Sequence, residues 1–171
     1  MNPADLDDMG FLHDYLATQA TVPVDEAYRA MLILADGRDS AKTFDERRER
    51  LEQRGIARAA WRLAPGQKID KGSVAYMVCR ILEIRGGVNR VLFGSWGPGD
   101  RRYALRELVY RRMMADAPAY RFITGAELVS LLREADVYMQ KRGMYAAQSV
   151  ELGQSPAVGP VSPGGASPAT P

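Results

Sequence analysis

Residues 67–87 read QKIDKGSVAYMVCRILEIRGG. Asp70 is a helix N-cap candidate, because its carboxylate can accept the free N–H groups of a first turn. Val74, Met77, Val78, Ile81 and Leu82 follow at helical spacing and form a broad apolar stripe. Gly86-Gly87 supplies the stop. The stretch therefore reads as a buried helix with a marked start and a marked end. A similar pattern occurs at VPVDEAYRAMLILADG, from Val22, and at FITGAELVSLLREAD, from Phe122. The cap candidates Asp25, Asp70 and Thr124 follow Val24, Ile69 and Ile123, and lie 45 (25 to 70) and 54 (70 to 124) residues apart. Periods of this size mark stacked supersecondary units that bury their faces against one another. The expected fold is all-α, with three helix–loop–helix repeat units at about 3–36, 43–85 and 100–140, packed in one compact bundle.

Each repeated helix is preceded by another amphipathic one. Over residues 3–19, Leu6, Met9, Leu12 and Leu16 recur at spacings of three and four, with Asp5, Asp7 and Asp8 at the positive N-terminal end. Asp25 is expected to cap the next helix and Gly37 to stop it. Thr43 and Glu46 have the spacing of a capping box for a helix over 43–54. Gly55-Ile56 fits a left-handed C-cap whose apolar residue folds back on the last turn. Trp61 and Leu63 should pack on the central helix, and Pro65-Gly66 turns the chain towards it. A weak alternation over 88–93, VNRVLF, leads into the Gly-rich loop GSWGPGD. Asp100 should cap a helix to about Met114, and Thr124 with Glu127 forms a second capping box for a helix to about Met139.

Residues 142–171 are expected to be a flexible tail. From residue 154 the tail is rich in Pro, Gly, Ser and Ala, carries no charge and holds half of the ten prolines. Such a segment buries too little apolar surface to offset ordering. The 171 residues suit one domain or one compact array, and 46% hydrophobic with 26% charged residues suits a soluble globular chain. A net charge of +2 gives no global attraction for nucleic acid. No apolar run reaches the ~20 residues that span a bilayer. The opening MNPADLDDMGFLHDY is acidic and lacks the apolar core of a signal peptide. A chain complete at Met1 would be cytoplasmic; an export signal upstream of that start would place it at the cell envelope.

Catalytic chemistry finds few candidates. Cys79 is the one cysteine and lies on the central helix, where it reads as a small buried apolar residue. His13 is the one histidine and has no partner in the pattern. Asp100, Glu107 and Glu127 have cap or solvated-face roles, and nothing pairs them. The loop GSWGPGD lacks the GxxxxGK[ST] pattern that cradles phosphates. The chain is therefore read as non-catalytic, with no cofactor and no metal. Trp96 is the more suggestive residue, because it stands beside Asp100, Arg101 and Arg102. A flat aromatic next to hydrogen-bonding charges can stack on a sugar ring or pack on a protein partner.

The segment Ile123-Thr124-Gly125-Ala126-Glu127, followed by LVSLL, resembles the I-T-R-A-E motif of the S-layer homology family. Ile69-Asp70-Lys71-Gly72-Ser73 and Val24-Asp25-Glu26-Ala27-Tyr28 are more distant versions, and Arg54-Gly55-Ile56 resembles that family's Gly-Ile. The likeness covers about residues 3–140. It implies three helical modules that hold envelope proteins to cell-wall polysaccharide, with the motif arginine at an anionic sugar. Glu26, Lys71 and Gly125 occupy the arginine position here, so the resemblance assigns that charge to Lys71. The expected ligand-binding residues are thus Lys71, Trp96, Arg101 and Arg102, with a cell-wall polysaccharide or an envelope protein as partner. The alternative is a winged-helix DNA-binding unit over 43–69, with the arginines of DERRERLEQR on phosphates.

Overall fold

The computed structural model describes residues 3–84 and 100–144. Among the described residues there are six α-helical stretches and no strands. They are α1 (Asp8–Gly10), α2 (Val24–Asp36), α3 (Phe44–Gln53), α4 (Lys71–Ile81), α5 (Asp100–Tyr110) and α6 (Gly125–Lys141). Short 3-10 turns at Pro3–Asp5, Leu16–Thr18 and Ala59–Trp61 and a π-turn at Phe11–Tyr15 complete the set. The fold is mostly helical, as the apolar periodicity requires. The stretch 88–93, the loop containing Trp96, the Gly86-Gly87 stop and the Pro-rich tail lie outside the described residues.

At the centre of the fold three segments meet in a closed ring of backbone hydrogen bonds. The Ile69 N–H donates to the Val22 carbonyl at 3.0 Å, the Ile123 N–H to Ile69 at 3.2 Å, and the Val22 N–H to Ile123 at 3.2 Å. All three residues are fully buried. Buried peptide groups must find partners, and here three segments supply them to one another. A second set lies outside the ring: Val24 N–H to Gln67, Lys71 N–H to Arg121 and Gly125 N–H to Gln19, each at 2.8 Å. One residue past each ring position stands the N-cap of α2, α4 or α6. The three N-termini are therefore gathered around the ring.

This register corrects the sequence reading of the first segment. The N-cap of α2 is Pro23, which offers no side-chain acceptor, and not Asp25. Val22, rather than Val24, is the counterpart of Ile69 and Ile123. Asp25 sits inside the first turn and accepts Arg47 Nη1 at 2.8 Å. Asp100, expected to cap a helix, is instead the first residue of α5, whereas the caps of α4 and α6 are formed as the sequence predicts. Asp70 accepts the Ser73 N–H at 2.7 Å, and Thr124 and Glu127 form a full capping box. At α3 the box is incomplete: Thr43 accepts the Glu46 N–H at 3.3 Å, but Glu46 Oε2 reaches the Lys42 N–H instead of that of Thr43.

Helix ends also depart from expectation. α4 stops at Ile81 rather than at Gly86-Gly87, because Glu83 turns left-handed (φ 51°) and the Ile84 N–H returns to the Cys79 carbonyl at 2.9 Å. α5 stops at Tyr110 rather than Met114 by the same device: Arg112 has φ 60°, and the Met113 N–H returns to Leu108 at 2.9 Å. Gly55 and Ile56 do this after α3, with φ 64° at Gly55 and the Ile56 N–H on Leu51 at 2.8 Å. The helix expected over 3–19 is broken by the π-turn. Its wider winding rotates the stripe, so Phe11 and Leu16 are buried while Met9 is exposed.

α4 is the central element. Lys71 through Cys79 are buried on every side, which suits a helix enclosed by neighbours rather than lying on a surface. It packs on α5 and α2, while α2 packs on α3 and the start of α6 lies on the Leu16–Thr18 turn. The approach at that last contact is close. A Cβ on Gly125 would stand 1.6 Å from the Leu16 carbonyl oxygen, so only glycine fits.

Candidate ligand-binding face

Lys71 occupies the first residue of α4, where a helix dipole disfavours a cation. Burial adds a desolvation cost. Both are offset by Glu127, whose Oε1 accepts Lys71 Nζ at 2.7 Å. Glu127 Oε2 also accepts the Thr124 N–H at 3.0 Å. One carboxylate thus closes the capping box of α6 and ties α6 to α4. Burial alone would raise the Glu127 pKa, but the hydrogen bonds from Lys71 and Thr124 outweigh it and hold the carboxyl below its ordinary value. The Lys71 side chain is 3% exposed. Its charge faces inward, not towards a ligand as the family pattern suggests.

The equivalent third-residue position of α2 is Glu26. Its carboxyl has no lysine opposite, because the residue that opens α6 is Gly125. The Tyr15 hydroxyl donates to Glu26 Oε1 at 2.6 Å in place of an ammonium. Glu26 Oε2 is buried without a hydrogen-bond partner among the described residues. Burial raises the Glu26 pKa, the Tyr15 bond lowers it and Asp25 raises it, with a net upward shift. The Tyr15 hydroxyl is in turn pushed up to about 12, first by that hydrogen bond and then by burial.

Arg101 and Arg102 lie in the first turn of α5 and face different surroundings. Arg101 Nη1 bridges Asp70 Oδ2 at 3.2 Å and Ser73 Oγ at 3.1 Å. Its guanidinium lies over the Trp61 ring, 5.4 Å from the centroid. Trp61 meets Tyr76 edge-on at 5.2 Å, and Arg58 lies over Tyr76 at 4.9 Å. These residues form a shelf on which an aromatic plane, two guanidiniums and a carboxylate meet. Arg102 instead borders an open cleft of about 510 Å³, shared with Arg106, Asp116, Pro118 and Tyr120. Trp96 lies outside the described residues. The shelf tryptophan in the structure is Trp61, which the sequence assigned only to packing. No local signal links Trp61 with Arg101, because they are forty residues apart and meet only through α4.

Among the described residues no group of three or more His, Cys, Asp or Glu is placed to hold a metal ion. Cys79 is buried, its thiol is pushed up to about 12 by that burial, and Sγ rests 3.7 Å from the Ala104 carbonyl. Such a thiol is a poor nucleophile. His13 is exposed on the N-terminal run. The stretch 43–69 contains α3, a 3-10 turn and a loop but no β-hairpin to serve as a wing. Four of its arginines have internal partners: Arg47 on Asp39, Arg48 on Asp45, Arg50 on Ser40 and Arg54 on Asp36. No described helix is long and apolar enough to cross a membrane. No protein-family model matches the chain, and no curated protein or solved structure does so either.

Proposed function

We propose that this chain is a non-catalytic binding or scaffolding module of the cell envelope, with a cell-wall polysaccharide as its ligand. The observation that carries the reading is the backbone ring joining Val22, Ile69 and Ile123. It gathers the N-termini of three helices about one point, the arrangement expected of modules that come in threes. The Trp61–Arg101 shelf is the contact surface: a sugar ring can pack against the indole beside Arg101, whose guanidinium takes its hydroxyl or anionic groups. Lys71 serves the module by fastening α4 to α6.

Co-sedimentation of the full chain with purified cell wall tests this reading. Wild type is retained, and Trp61→Ala or Arg101→Ala each lowers affinity about tenfold, the loss of roughly 1.4 kcal/mol of contact. Retention that ignores both substitutions, or no retention of wild type, overturns the proposal.

A further inference from the structure

The net charge of +2 conceals a separation of charge. Residues 100–124 hold six arginines against Asp100, Glu107 and Asp116, a formal +3. Residues 3–20 hold Asp5, Asp7, Asp8 and Asp14 and no lysine or arginine, a formal −4. The exposed large hydrophobics follow the same division. Tyr103, Tyr110 and Tyr120, from 58% to 84% exposed, stand on α5 and its following loop, and Met9, 61% exposed, stands in the acidic run.

On α5 the spacing of Arg102, Tyr103, Arg106 and Tyr110 places them on one outward face, opposite buried Ala104, Leu105 and Leu108. Arg102 and Arg106 are exposed, and neither has an ion-pair partner among the described residues. The cleft between them and Tyr120 runs along this face. Tyrosine and arginine are the residues that anchor protein interfaces, while a solvated helix face would instead carry Lys and Glu. On the acidic run, Asp8 is committed to Arg29 at 3.2 Å, and Asp7 caps the Gly10 N–H at 2.7 Å. Asp5 and Asp14 remain exposed without such a partner among the described residues. The two patches sit on different supports, since α5 packs on α4 whereas Asp8 and the carbonyls of Pro3 and Leu6 bind Arg29 of α2.

From this complementarity we infer that the tyrosine–arginine face of α5 docks the acidic N-terminal run of a second copy of this chain, head to tail. The contact is heterologous, because the two surfaces differ, so copies join in chains or rings rather than closed pairs. It goes beyond the proposed polysaccharide reading and uses other residues than the Trp61–Arg101 shelf.

The test uses the full chain with two charge-reversed variants, Arg106→Glu/Tyr110→Ala and Asp5→Lys/Asp14→Lys, all exposed positions. Sedimentation velocity at low salt is expected to show wild-type mass rising with concentration and falling in ~0.5 M salt, where the screening length shrinks to a few ångströms. Each variant alone is expected to raise the dissociation constant about tenfold or more. Mixing the two variants should yield a 1:1 pair that grows no further, because each retains one intact surface. The unused ends do not restore the contact, because the altered α5 face lacks Tyr110 and keeps Arg102 against the new lysines of the altered run, so a wild-type-like ladder on mixing overturns the assignment of these two surfaces. A wild type that stays monomeric throughout, or association that survives in either single variant, overturns the inference as a whole.

Discussion

Lys71 and Glu127 are paired but not equivalent, and the difference makes an unequal mutational response. The Lys71 side chain is 3% exposed and that of Glu127 is 37% exposed. Replacing Lys71 by Met keeps most of the buried stem and leaves a carboxylate that still has the Thr124 N–H and water. The expected loss is about 1–2 kcal/mol, well under the full cost of a broken buried pair because solvent screens the survivor. Replacing Glu127 by Ala leaves an ammonium with almost no access to water and opens the capping box of α6. The expected loss is about 3–5 kcal/mol, of which roughly 1 belongs to the cap. Urea unfolding resolves such a gap, since a domain of this size is stable by only about 5–15 kcal/mol. The pH response carries the same signature. The Glu127 pKa is lowered on folding, so its stabilisation is present above the unfolded value near 4.5 and is lost as pH falls through the folded one. Lys71→Met should flatten that acid limb. Equal losses for the two substitutions, or an acid limb untouched by Lys71→Met, would refute the argument that the pair is a buried clamp.

Three further outcomes follow from the geometry. Arg112 holds φ 60° at a helix end where glycine is favoured, so Arg112→Gly should raise stability by about 0.5–1 kcal/mol; a lower melting temperature would contradict this. Gly125→Ala should cost at least ~3 kcal/mol or prevent folding, because the new Cβ has only the Leu16 backbone to displace, whereas Gly66→Ala meets nothing within 4 Å and should be near neutral. Tyr15→Phe removes the one donor that the half-buried Glu26 carboxyl has among the described residues. The Glu26 pKa is already raised on folding, so its contribution is present at acid pH and lost as pH rises through the folded value. The cost of Tyr15→Phe, about 1–3 kcal/mol at neutral pH, should shrink towards pH 4, and a cost independent of pH would argue against a charged Glu26.

The parts of the fold that were legible in the sequence are those written in local chemistry. Asp70, the Thr124–Glu127 box, Gly37 and Gly55 announce their turns by residue type, and the structure uses each as expected. Pro23 gives no such signal, because its fixed φ suits an N-cap while its side chain offers no acceptor, and Asp25 two residues on carries the acceptor instead. The ends of α4 and α5 carry no compositional signal, because Glu83 and Arg112 take the left-handed position in place of glycine. The remaining clue was the apolar residue just beyond, Ile84 or Met113, which returns its N–H to the last turn as Ile56 does. A π-turn at Phe11–Tyr15 leaves no compositional mark, yet it decides that Met9 faces out. The candidate site was harder still. Lys71 was singled out by a motif, but its direction depends on Glu127, 56 residues away. Arg101 was named from its neighbour Trp96, whereas the ring under it is Trp61. Such pairings are products of tertiary packing and have no period to read.

Amide hydrogen exchange at Val22, Ile69 and Ile123 reads directly whether three segments close one ring on which the helices α2, α4 and α6 are mounted. If the ring is a single structural unit, the three amides exchange only through global unfolding and share its free energy, alongside the core of α4. Exchange of any one of the three through a cheaper, separate opening would mean that the ring is not one structural unit.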